Sequence, residues 1–207
     1  MTKNELKDRG YDIIGQIAKA MGHAHRLELL ELLGNGPKSV IKLAREARMS
    51  VANTSQHLQK LKQAGLVKTR RSFNTIYYRL ADPVILPAIR GLHQIAASQR
   101  PDMTALLQSF RKNYGTDTAV VYSLPDEEHI LLDVRPPEEY AWSHHRRAMN
   151  IPYYRLDKEM HRLDKNKLIV AYCRGELCTY ADEVVARLLA AGYRAVRLAE
   201  PVMMKSA

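Results

Sequence analysis

The chain should fold as two domains, a mainly-α module followed by an α/β module with a parallel sheet. Apolar residues recur at helical spacing through the first hundred positions, interrupted by only two short strand-like runs. The second half instead alternates strand, loop, helix and strand, the order of a parallel α/β unit. Charge divides at the same place: residues 1–100 hold 17 Lys and Arg against 7 Asp and Glu, and residues 101–207 hold 15 of each. A basic half joined to a neutral half suggests two modules, the first with a polyanionic partner.

Taken in order, residues 11–33 place Ile13, Ile14, Ile17, Met21, Leu27, Leu30 and Leu33 on helical faces, with a break expected near Gly22. The stretch Gly34 to Pro37 reads as a loop, and Val40 to Ala47 as a short helix ending in a turn at Arg48-Met49. Ser50 is a good N-cap for a helix from Val51 to Ala64, which Gly65 stops. Strands follow at Leu66–Arg71 and Thr75–Leu80, and Pro83 opens a helix over roughly 83–98. Two short helices, a tight turn and a hairpin make a winged helix-turn-helix, and the domain is assigned residues 1–98.

Such a helix fits the major groove of double-stranded DNA and reads base edges from its N-terminal turns. The reading side would carry Ser50, Val51, Ala52, Asn53, Thr54, Gln56 and His57, while Leu58, Leu61 and Leu66 face inward. Lys60, Arg70 and Arg71, with Arg45, Arg48, Lys62 and Lys68, would neutralise phosphates.

Residues 99–116 are polar and include Pro101; they read as a linker with some helix. Beyond them, over 117–207, strands are expected at His129–Val134, Lys167–Tyr172 and Ala195–Leu198, and a helix at 179–191. Cys173 follows its strand directly, and a loop with Gly175 leads into the helix. Consecutive N–H groups there, backed by a helix N-terminus, form an anion cradle that favours a thiolate. Arg174 adds local positive charge. Cys178 either resolves an oxidised or sulfurated Cys173 or packs as a small apolar residue.

Two resemblances sharpen this reading. Lys19–Leu33 (KAMGHAHRLELLELL) and Met49–Arg71 (MSVANTSQHLQKLKQAGLVKTRR) resemble the ArsR family of small bacterial repressors, over about residues 10–98. The resemblance implies a homodimer, joined through the first and last helices of the domain, with two recognition helices in successive major grooves of an operator. Metal-sensing members carry clustered ligands that Ser39–Arg48 lacks, and the last helix offers His93 alone, so no metal site or cofactor is expected.

The second half is similar to the rhodanese-like domain. Leu131–Tyr140 (LLDVRPPEEY), Ala148–Pro152 and the loop AYCRGELC carry the likeness. It implies that Cys173 accepts sulfane sulfur as a persulfide from a donor such as thiosulfate or polysulfide. Arg174, Gly175, Glu176, Leu177 and Cys178 would then supply the amides that hold the transferred group. Asp133, Arg135 and Glu139 are structural supports, with Arg135 and Glu139 expected as an ion pair. The sequence departs from the family pattern at Ser143–Ala148 and at Ala199-Glu200-Pro201.

The reading favoured from sequence is a DNA-binding regulator of the repressor type whose rhodanese-like domain senses or accepts sulfane sulfur or another thiol-reactive signal at Cys173; the alternatives are a sulfurtransferase with Cys173 as nucleophile and a regulator with a silent interaction module. No apolar run reaches the roughly 18 residues that span a bilayer. The start, MTKNELKDRG, has no apolar core behind its charges, so a cytoplasmic protein without membrane partners is expected.

Overall fold

A computed structural model describes residues 1–116, 119–123, 125 and 127–199. It divides into two units, Met1–Gln94 and Ile95–Ala207.

In the first unit, α1 (Lys3–Met21) begins at a capping box in which Thr2 and Glu5 satisfy each other's backbone N–H groups. It breaks at Gly22, and His23 caps α2 (Ala24–Gly34) by accepting from the N–H of His25. Buried Arg26 reaches back to the carbonyls of Lys19 and Ala20, which the end of α1 leaves unpaired. After β1 (Lys38–Ser39), the side chain of Ser39 caps α3 (Val40–Glu46) and that of Ser50 caps α4 (Val51–Gln63). Arg48, at φ 52°, makes the tight turn between these two helices. Gly65, at φ 74°, ends α4 in a left-handed conformation that a side chain would strain. The wing is β2 (Val67–Ser72) against β3 (Thr75–Leu80), and β1 pairs with the other edge of β3. The core gathers Leu29, Leu30, Leu43, Leu58, Leu61 and Ile89, the last from α5 (Ile85–Gln99). By contrast Ile13, Ile14 and Ile17 of α1 are exposed, because that helix meets the core through its end, with Met21 buried and Ala20 packed beside it.

The second unit includes a difference from the sequence reading. Residues 99–116, expected as a linker with some helix, are largely α6 (Pro101–Tyr114), with Pro101 at its first turn and left-handed Gly115 at its end. Proline breaks a helix interior but suits its first turn, and Pro101 therefore starts this one.

Strands β4 (Val120–Val121), β5 (His129–Asp133), β6 (Met149–Asn150), β7 (Leu168–Tyr172) and β8 (Ala195–Leu198) form a parallel sheet in the order β4-β8-β7-β5-β6. Helices α7 (Pro137–Trp142), α8 (Leu156–Glu159) and α9 (Tyr180–Ala190) connect them. Central β7, LIVAY, is buried at every position, which explains its unbroken apolar run. Cys173 stands at the carboxyl end of this strand, where open parallel sheets place their ligands. The departures at Glu200 and Pro201 lie outside the described residues.

Candidate functional site

On α4 the side chains sort by the helical period. Val51, Ala52, Gln56 and Lys60 are exposed and Asn53 is half-buried, so these stand on the outward face. Ser50 accepts from the N–H of Asn53 at 3.2 Å and is thereby committed to the cap. Arg70 and Arg71 are exposed on the wing, with Phe73 at its tip, 96% exposed and at φ 50°.

Two of the expected reading residues need correction. Thr54 is fully buried and its hydroxyl donates to the Ser50 carbonyl at 2.9 Å, so it stabilises the first turn. His57 is buried as well, its ring 4.5 Å from that of His23 and 5.5 Å from that of His25. Sequence reasoning passed over Gln59, which lies exposed one turn from Gln56 and was recoverable from the same periodicity.

The three histidines come together from α2's start and α4. Burial, then the charges of neighbouring His and Arg26, holds the pKa of His57 below its ordinary value; burial, then Arg26, does the same at His23. Among the described residues, no three His, Cys, Asp or Glu side chains are arranged to hold a metal ion. His93 instead meets Glu31, Nε2 to Oε1 at 2.7 Å.

In the second unit, Cys173 is 3% exposed. Its thiol donates to the Cys178 carbonyl at 3.1 Å, with the Gly175 carbonyl at 3.8 Å. The loop between them is tightened by the N–H of Cys178 bonding the Gly175 carbonyl at 3.1 Å. Burial works against ionisation of Cys173. The Cys178 thiol, the Arg197 charge and the N–H groups of Ala181 and Gly175 together outweigh it and bring its pKa below the ordinary thiol value. Ala181 lies in the first turn of α9, so the helix N-terminus contributes here. Cys178 is pushed the opposite way, first by its interaction with Cys173 and then by burial, so of the two thiols Cys173 is the one that ionises first.

The supporting charges are placed as follows. Arg135 forks onto Asp133, Nη2 to Oδ2 at 2.6 Å and Nε to Oδ1 at 3.0 Å, and also reaches the Ser143 carbonyl at 2.8 Å. Glu139, also fully buried, takes a two-point pair from Arg174 at 2.6 and 2.9 Å, and its charge acts on Arg135 too. Arg174 therefore spends its charge on Glu139 and lies over the Tyr180 ring at 5.2 Å, rather than standing free at the loop. Glu176 and Leu177 form the outer part of the loop, and Leu177 is half exposed.

Sequence reasoning missed Arg197. Only 1% exposed within β8, it donates through Nη2 to the carbonyls of Gly175, Glu176 and Cys178 at 2.9, 3.1 and 3.4 Å. The signal for it was a single arginine inside an otherwise apolar strand, AVRL.

Comparison with known proteins adds the following. The model of the bacterial regulatory protein family arsR matches residues 23–69, and that of the rhodanese-like domain matches residues 117–200. The chain is similar to the HTH-type transcriptional regulator Rv0324 of Mycobacterium tuberculosis, with 32% identity over 190 residues, covering 90% of this chain and 84% of the relative. It is 29% identical over 99 residues to the biofilm growth-associated repressor of Xylella fastidiosa, covering 48% of this chain and 86% of that one. Among solved structures, the homodimeric winged helix-turn-helix DNA-binding domain Mb0332 of Mycobacterium bovis aligns with a TM-score of 0.43 at 30% identity, over 49% of this chain and 93% of its own.

Proposed function

The chain belongs to the arsR family of bacterial regulatory proteins and carries a rhodanese-like domain, and from that premise we propose that it is a homodimeric transcriptional repressor whose operator affinity is set by sulfur chemistry at Cys173. The observation that carries the reading is the thiol pair: a nucleophile with depressed pKa, hydrogen-bonded to a second cysteine, in the same chain as an exposed helix-turn-helix. The reader of the operator is the outward face of α4, through Val51, Ala52, Asn53, Gln56 and Gln59. Lys60, Arg70 and Arg71 bind phosphates. Dimerisation is supported by the exposed apolar residues Ile13, Ile14 and Ile17 of α1 and Leu92 and Ile95 of α5, which a lone copy leaves in water.

With thiosulfate, the Cys173 thiolate attacks the outer sulfur. A new S–S bond forms as the donor's S–S bond breaks, and sulfite leaves with the electron pair. The Cys178 thiol then attacks the inner sulfur of the Cys173 persulfide. An intramolecular disulfide forms as the persulfide's S–S bond breaks, and the outer sulfur leaves with the electron pair as hydrosulfide, taking the proton of Cys178. The persulfide retains a negative charge and the disulfide does not, so the two states differ electrostatically. Either can shift a DNA-binding equilibrium only by differing in free energy between the operator-bound and free forms.

The test pairs mass spectrometry of the Cys173–Cys178 peptide after thiosulfate or polysulfide with gel-shift titration of the same sample. A sulfur adduct together with changed operator affinity is expected, and both are lost in Cys173→Ser. Equal affinities of the reduced and modified protein would remove the sensing role. The second reading, a thiosulfate-to-acceptor sulfurtransferase, is favoured by the same depressed thiol pKa. It requires Cys173-dependent thiocyanate formation from thiosulfate and cyanide, and no product would sink it.

A further inference from the structure

Beneath the cysteine loop runs a buried ionic chain with one positive charge in excess. Arg111 of α6, Asp182 of α9 and Arg197 of β8 are all at least nine-tenths buried. Arg111 Nε lies 3.5 Å from Asp182 Oδ1, and Arg197 Nε lies 3.1 Å from Asp182 Oδ2. One carboxylate thus serves two guanidinium groups. The fit is incomplete: Arg111 Nη2, Asp182 Oδ1, Arg197 Nε and Arg197 Nη1 are buried without a well-formed hydrogen bond. A buried charge that is not fully compensated is costly unless another group of opposite sign shares it.

Cys173 is placed to be that group. Arg197 Nη2 and the Cys173 sulfur share two acceptors, the carbonyls of Gly175 and Cys178. Without a cation those oxygens would turn the negative ends of two dipoles on the sulfur, favouring S–H and opposing S⁻. A guanidinium donating to the same oxygens offsets them. The bonds also fix the direction of the loop. In a trans peptide the N–H points opposite to the C=O, so carbonyls of 175, 176 and 178 drawn to Arg197 aim the N–H groups of Glu176, Leu177 and Thr179 away from it.

We propose that Arg197 is a positioning residue of the cysteine loop: it draws three loop carbonyls inward and, with Arg111 and Asp182, supplies the counter-charge that lets Cys173 ionise. The proposal rests on the reading of Cys173 as the reactive group. Its test needs neither sulfur donor nor DNA, so the two can fail separately.

The measurement is the ultraviolet absorbance of thiolate against pH, with the rate of iodoacetamide labelling, on the full chain. Arg197→Gln should move the first thiol ionisation up by about one pH unit or more and slow labelling at neutral pH about tenfold. Arg197→Lys, which keeps the charge, should restore most of the ionisation, a rescue that a purely structural role would not give. Arg111→Gln leaves Asp182 to neutralise Arg197 alone and should raise the ionisation in the same direction by less. Circular dichroism establishes that each variant is folded. A folded Arg197→Gln that titrates as the parent overturns the proposal. Should Arg197→Gln not fold, an unshifted Arg111→Gln overturns it. Failure of the parent to take up sulfur, with these shifts intact, would remove the sensing reading and leave Arg197's role standing.

Discussion

Among the groups that favour the Cys173 thiolate against burial, the Cys178 thiol comes first and the Arg197 charge next. In Cys178→Ser a hydroxyl keeps a donor in place but removes the second sulfur. Cys173 should then still form a persulfide but no longer pass to a disulfide, so intact-mass spectra after thiosulfate should show the added sulfur accumulating. A variant that closes no disulfide and holds no persulfide would argue that Cys178 is needed for the first attack as well. His57 carries a different pH effect. Its folded pKa lies below the ordinary 6.5, so the unfolded chain takes up the proton first as pH falls. Stability of the winged-helix unit should be complete above that value and decline as pH drops from 6.5 toward the folded pKa. Urea midpoints measured across that window should fall less steeply in His57→Phe, which fills the ring's place without titrating. Parallel slopes would show that other groups set the acid limit.

At the scale of elements, α4 combines two tasks whose residues interleave. Leu58 and Leu61 are fully buried, while Gln56, Gln59 and Lys60 look outward. Its start depends on Ser50, whose side chain satisfies the Asn53 N–H. Ser50→Ala should cost about 1 kcal/mol of stability in chemical denaturation and loosen the end of the helix proposed to meet the bases. Operator affinity should therefore fall by more than non-specific DNA affinity; an equal loss in both would assign Ser50 to stability alone. The sequence carried this helix almost residue for residue because Ser50 and Gly65 punctuate it and the leucines keep its period. It misled at Thr54 and His57, where polar side chains suited to bases are drawn inside by a hydroxyl bond to Ser50 and by contact with His23. No one-dimensional pattern reports those partners. The same limit explains α6: Pro101 and a polar surface read as a linker with some helix, and what the pattern could not report is that Arg111 is buried against Asp182 of α9, seventy-one positions away. Arg197 was hidden for the same reason, since its role depends on carbonyls of a loop some twenty residues earlier.

For the whole molecule, the division of charge sets the winged helix-turn-helix half apart from the cysteine half. The excess of Lys and Arg lies within residues 1–100, and Cys173 and Cys178 lie in a half whose charges balance. Sulfur transfer to Cys173, as proposed, would leave its charge in place, and closure onto Cys178 would remove one negative charge at most, so neither would alter the number of cations α4 and the wing offer to phosphates. The salt dependence of DNA binding counts those cations, falling by about 0.9 in log–log slope for each phosphate neutralised. Reduced and sulfur-treated protein should therefore bind non-specific duplex with the same slope and the same affinity. Only operator binding should change, because that alone requires two recognition helices in register with successive grooves. Fluorescence anisotropy on operator and scrambled duplexes over a range of salt separates the cases. A fall in both affinities together would point to damage of the DNA-binding unit rather than a change of register. An altered slope would mean that phosphate contacts themselves had been lost, and the control proposed for Cys173 would then have to act through the wing as well as through α4.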